Sequence, residues 1–176
     1  MKRTTLRSIR VLPRPGDRRR GVILAGPLAL PCALGRSGTG RTRREGDGRT
    51  PIGRFALGAL YFRADRLRRP RTRLPLLPLR PNDGWCDDPA DTRYNRPVKL
   101  PYRAGHERLW RDDHLYDLVL DISFNRGPIL RGRGSAIFLH LARQDFAPTA
   151  GCIAIAPRAA RRLLALLGPE TTLIIG

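Results

Sequence analysis

A chain of 176 residues, 41% of them hydrophobic, is long enough to bury a real core, and no stretch approaches the roughly 20 apolar residues that a membrane span needs. Its formal charge of +19 favours anionic partners, yet only Lys2 and Lys99 are lysines and the arginines are scattered through the chain. Aromatic residues make up 6% and do not interleave with arginine, which argues against a base-stacking platform and leaves phosphate contacts as the only route to nucleic acid.

Thr4 to Leu12 alternates and reads as a first strand closed by Pro13 and Pro15. Arg18 to Arg20, followed by the apolar run from Gly21 to Leu34, has the outline of a signal peptide. Gly26, Pro27 and Pro31 interrupt that run, so Val22–Ala25 and Leu28–Leu34 read as a β-hairpin turning at Gly26-Pro27. A loop from Gly35 to Gly48 leads to Thr50-Pro51-Ile52-Gly53, a turn before a strand over Arg54–Tyr61. Its glycines read as turn chemistry rather than substrate contact.

From residue 63 to residue 113 the pattern weakens, and this segment reads as a lid or substrate-binding insertion within one domain spanning 1–176. Arg71–Leu79 is apolar at Leu74, Leu76, Leu77 and Leu79, with prolines that confine it to a sheet edge. Asn82 to Pro101 is too long and polar for a simple connector; its Trp85, Tyr94 and Asn95 either pack over a peptide substrate or anchor the loop to the body. His106 to Tyr116 reads as a helical turn. His106 and His114 have Glu107, Asp112 and Asp113 nearby but lack HExxH-type spacing, so no metal is expected. Leu115–Phe124 alternates as a half-buried strand, and Asn125 and Gly127 form the turn after it, placed to rim a site.

Cys32, Cys86 and Cys152 are an odd set without CxxC spacing, which argues against zinc. Cys32 reads as a small buried hydrophobe. In an exported protein a Cys32–Cys86 bridge would leave Cys152 as the free thiol.

The stretch Ile137 to Pro157, IFLHLARQDFAPTAGCIAIAP, organises the rest. Ser135–Leu141 and Cys152–Ala156 read as short buried strands, and the loop between them contains Pro148 and Gly151 and returns one strand beside the other. His140 and Cys152 are then neighbours. A free thiol is only about 3% ionised at pH 7, and an adjacent imidazolium raises that fraction. Gly151 lets the backbone bend and a substrate approach, so that the N–H groups of Gly151 and Cys152 point at a developing oxyanion. Pro157 suits the first position of a helix continuing over Ala159–Leu167, Gly168 and Pro169 stop it, and Thr171–Ile175 is a last strand. The architecture is mainly β, with one C-terminal helix and short helical turns.

This arrangement resembles the catalytic segment of the L,D-transpeptidases, the YkuD-like family of bacterial cell-wall enzymes. His140 matches the family's histidine, and Thr149, Ala150, Gly151, Cys152 and Ile153 match its Ser/Thr-x-Gly-Cys-Ile/Val block. EGDGRTPIGRF, from Glu45 to Phe55, resembles the family's Gly-Thr-Pro-x-Gly-x-Phe turn. Leu141, Ala150 and Ala154 depart from the glycine, second histidine and arginine common there, which marks a divergent branch.

The resemblance implies a curved sheet or β-sandwich and an acyl transfer on peptidoglycan stem peptides, donor and acceptor, with no cofactor. Cys152 would be the nucleophile, His140 the base and Gly151 part of the oxyanion site. Thr149, Ala150, Arg143, Asn125, Trp85 and Tyr94 would contact substrate, with Arg143 holding a carboxylate. Such a substrate places the protein in the periplasm or cell envelope, with the cytoplasm as the alternative for want of a convincing signal peptide. Two other readings stay open: an L,D-carboxypeptidase or amidase on the same site, and a non-catalytic basic protein that binds nucleic acid or an anionic polymer.

Overall fold

The computed structural model describes residues 5–41 and 44–176; Thr4, the expected start of the first strand, and positions 42–43 of the expected loop lie outside them. Strands β1 (Ser8–Arg14), β2 (Asp17–Ala25) and β3 (Leu28–Ala33) form an antiparallel meander turning at Gly26-Pro27. Pro13 does not end β1. A register shift between Pro13 and Arg14 accommodates its missing N–H and lets pairing run on to Arg14.

Next come β4 (Thr39–Gly40) and β5 (Thr50–Pro51), a short parallel pair, so Thr50-Pro51 is a strand fragment rather than the expected turn. The ten-residue β6 (Gly53–Phe62) follows, and β7 (Leu76–Pro78) pairs along it as the outermost strand, where its proline costs no ladder bond. Strands β8 (Asp83–Cys86), β9 (Arg96–Lys99) and β10 (His106–Arg108) make a separate antiparallel sheet in the order β10-β8-β9. Asn82–Pro101 is therefore not a structureless loop, and His106–Arg108 is a strand rather than a helical turn.

The remaining elements are β11 (Leu118–Ile122), β12 (Phe138–Leu141), β13 (Ile153–Ile155), α1 (Pro157–Leu164) and β14 (Thr172–Ile175). The main sheet runs β11-β12-β13-β3-β2-β1-β14-β6-β7, and β11 also pairs with β6, so the sheet curls until it closes on itself. Inside lies an aliphatic core that includes Val11, Ile23, Leu60, Leu120, Ile155 and Leu173. Pro157 begins α1, which buries Ala160, Leu163 and Leu164 against that core.

All five residues of β11 are buried, not the alternate half expected, because a second cluster covers its other face. That cluster joins Trp85 and Leu109, from the small sheet and its flank, to Tyr116, Val119, Phe138 and Cys152. Asp121 is accommodated there by Arg126 at 2.8 Å. Cys32, Cys86 and Cys152 are all free and buried, so the bridge considered for Cys32 and Cys86 is absent.

Candidate functional site

Strands β12 and β13 run parallel with Leu139 opposite Ile153 and His140 opposite Ala154. Because side chains alternate along a strand, Leu139, Leu141, Ile153 and Ile155 enter the main core, and His140, Cys152 and Ala154 face the other way. There His140 and Cys152 both line an open cleft of about 820 Å³.

The loop before Cys152 is stitched to the upstream motif. Thr149 donates its N–H to Leu34 O at 3.0 Å and its carbonyl accepts from Arg36 N–H at 2.8 Å. The Cys152 carbonyl accepts from two hydroxyls, Thr149 Oγ1 at 2.6 Å and the fully buried Thr50 Oγ1 at 3.5 Å. Thr50 Oγ1 in turn accepts Gly35 N–H at 2.8 Å. Gly151 has φ +144°, and a Cβ there would lie 2.9 Å from Arg49 O, so only glycine fits. Its N–H donates to Thr149 Oγ1 at 3.1 Å, and so is not the free oxyanion donor expected.

The Cys152 thiol donates to Ala136 O at 3.3 Å and accepts from Phe138 N–H at 3.4 Å. His140 Nδ1 lies 2.8 Å from Leu141 O. A carbonyl only accepts, so Nδ1 carries the proton and Nε2 keeps its lone pair. Burial, the largest cause, lowers the imidazole pKa from 6.5 to about 4. Burial again, helped by the negative charge of Glu107, raises the thiol to about 12. The resting pair is neutral, which corrects the expected thiolate–imidazolium form: burial disfavours both ions.

Thr149, Ala150 and Arg143 line the same cleft. Trp85 and Tyr94 do not contact it; each is 1% exposed. Trp85 Nε1 donates to Asn95 Oδ1 at 3.1 Å, while Asn95 Nδ2 donates to the carbonyls of Phe124 at 3.0 Å and Asn125 at 3.2 Å. Tyr94 donates to Glu45 and accepts Gly134 N–H at 3.0 Å. Both aromatics are anchors, held by polar partners that a buried ring needs, and the substrate role expected of them is corrected. Asn125 is also outside the cleft lining; its amide donates at 2.9 Å to the carbonyls of Leu130 and Gly134 and shapes the loop they bound.

Four cleft or loop residues are given no role in the site by the sequence. Arg49 and Thr50 read there as part of the turn in the Glu45–Phe55 segment, with no contact to the cysteine loop. Glu107 and Tyr116 come together because Tyr116 donates its hydroxyl to the Glu107 carboxylate. Burial raises the pKa of both groups. The Tyr116 ring meets His140 edge-on with centroids 5.1 Å apart and packs against the imidazole. His106 and His114 are not joined: His106 Nδ1 reaches Ala104 O and His114 Nδ1 reaches Asp117, each at 2.8 Å.

Against known families, residues 18–175 match YkuD, the L,D-transpeptidase catalytic domain. No curated protein matches the chain. Among solved structures, Mycobacterium tuberculosis L,D-transpeptidase 1 is similar at 11% identity and a TM-score of 0.41, over 96% of this chain and 61% of that one. The chain thus spans less than two thirds of that solved protein.

Proposed function

The chain belongs to the L,D-transpeptidase catalytic-domain family, and from that premise we propose that it is a peptidoglycan L,D-transpeptidase acting through a Cys152 acyl-enzyme. The observation that carries this reading is the presentation of His140 and Cys152 on one face of adjacent parallel strands, in one open cleft.

Because the resting pair is neutral, deprotonation accompanies attack. His140 Nε2 takes the thiol proton as Sγ forms a bond to the carbonyl carbon of the third residue of a donor stem. The oxyanion faces the Cys152 N–H, since the Gly151 N–H is committed to Thr149. Collapse breaks the peptide C–N bond, and His140 returns the proton to the departing D-amino acid. An acceptor amine then attacks the thioester, its proton passes to His140, and the thiol is regenerated as the C–S bond breaks. Water in place of the amine gives hydrolysis.

Tyr116 orients the base through its ring, and Leu141 O fixes the tautomer. Arg143, exposed on the cleft rim, is the proposed partner of a stem carboxylate. Within 63–113, the small sheet contributes Glu107 and Arg108 as a substrate-facing wall, rather than a detachable lid. Such a substrate assigns the protein to the cell envelope; no helix among the described residues is long and apolar enough to cross a membrane.

Incubation with tetrapeptide muropeptides should give an acyl-protein adduct by intact mass, and crosslinked products on addition of acceptor, neither with Cys152→Ala. Absence of both adduct and product from the unmodified chain would end this reading. Free tripeptide without crosslinks would assign hydrolysis to the same thiol.

A further inference from the structure

Residue 141 of β12 points opposite to residue 140, and on that side lies a second depression of about 820 Å³, between α1 and the segment 66–71. Its floor is apolar, with Pro27, Leu28, Leu67, Leu118, Leu141 and Leu164. Arginines surround it. Arg66 is engaged by Asp117 at 2.8 Å, whereas Arg68, Arg69, Arg71, Arg161 and Arg162 form no ion pair among the described residues. Among the described residues, no carboxylate, amide or hydroxyl side chain lines the depression.

Those features narrow the occupant. Guanidinium groups without counterions around one depression call for an anion, and their planar fork suits phosphate. An inorganic anion leaves the leucine floor unused. A nucleic acid finds no aromatic ring to stack on. A peptide laid on this floor finds guanidinium donors for its C=O groups but strands its backbone N–H groups, since the described walls are proline, leucine, alanine and arginine and offer no side-chain acceptor. A hydrocarbon chain makes no such demand.

We propose that this groove binds an anionic phospholipid, an acyl chain lying on the leucine and proline floor and the phosphate held by the arginine rim. Bound this way, the chain sits on an anionic bilayer with the His140–Cys152 cleft on the opposite face of the same strand. The inference stands on the groove alone and is independent of the cleft's chemistry.

The test is flotation of the full chain with phosphatidylcholine vesicles, with and without phosphatidylglycerol. Binding should require phosphatidylglycerol, and the triple variant Arg68→Glu, Arg69→Glu, Arg161→Glu should lower partitioning at least about tenfold. The triple variant Arg10→Glu, Arg54→Glu, Arg96→Glu changes net charge equally at exposed sites elsewhere and should stay within about threefold of the unmodified chain. Equal losses in the two triples, or no binding to phosphatidylglycerol, would overturn the proposal. Methyl NMR provides a second readout. Short-chain phosphatidylglycerol should shift Leu28, Leu67 and Leu164, and glycerol phosphate should not. Equal shifts from glycerol phosphate would make this a bare anion site, and shifts caused only by an acidic amphipathic peptide would assign it to a protein partner; either result rejects the lipid.

Discussion

The two faces of β11, β12 and β13 are made from alternate residues of the same strands, yet they are held in different ways. Toward the main core stand Leu118, Leu120, Ile122, Leu139, Ile153 and Ile155, which need only volume and dryness. The opposite face buries Asp121, His140 and Cys152 among Trp85, Tyr116 and Phe138. Each polar group there has a named partner: Arg126 for Asp121, Leu141 O for His140, Ala136 O for Cys152. Burying such groups without partners is costly, so geometry on this face is set by directed bonds, and reactive groups can be held at defined angles. Substitutions on the first face should cost stability; on the second they should cost chemistry.

The sharpest separation is expected from Cys152→Ala, which should abolish the acyl adduct in intact mass while lowering the thermal transition by no more than the two weak sulfur hydrogen bonds it removes, from Phe138 N–H and to Ala136 O. Leu120→Ala should do the reverse. Its side chain is fully buried in the main core, so truncation should lower unfolding free energy by about 2–5 kcal/mol in urea titrations, with adduct formation retained below the transition.

Acidity should reveal the buried imidazole. His140 titrates at about 4 in the fold against an ordinary 6.5, so as pH falls the unfolded chain takes up this proton first. Its stabilising contribution is complete above 6.5 and is lost as pH falls through 4, roughly 3 kcal/mol in all. His140→Gln should flatten that acid limb in urea titrations; an unchanged limb would mean that other groups cause it. Catalysis that uses neutral His140 as base should likewise persist through neutral pH and fail only as this group protonates.

A smaller effect is expected at the clamp. Thr50→Val leaves Gly35 N–H without its acceptor and removes one of the two hydroxyls on the Cys152 carbonyl. A cost of about 1–3 kcal/mol should appear in melts, together with slower acylation. Smallest of all, Arg143→Gln on the exposed rim should leave stability unchanged and raise KM for the donor a few-fold, roughly the value of one solvent-exposed ionic contact.

Much of the main sheet was legible because alternation is a local property. The hairpin at Gly26-Pro27, the buried runs around His140 and Cys152, and Pro157 at the head of α1 all follow from neighbouring residues. The small sheet was not. Its strands β8, β9 and β10 are three or four residues long, and Trp85 finds Pro97 and Glu107 across registers that no local period encodes. The aromatic pair Trp85 and Tyr94 looks the same in sequence whether it covers a ligand or anchors a wall; burial beneath the cleft decides for the anchor.

The order of residues by itself determined that a histidine late in one short strand and a cysteine just before the next would come together, with a glycine directly ahead of the cysteine. Tertiary packing alone decided their protonation: burial at the floor of the cleft disfavours both ions, so the pair rests neutral. It also decided that Thr50, about a hundred residues upstream, meets the cysteine loop, because that contact exists only once the curled sheet has closed.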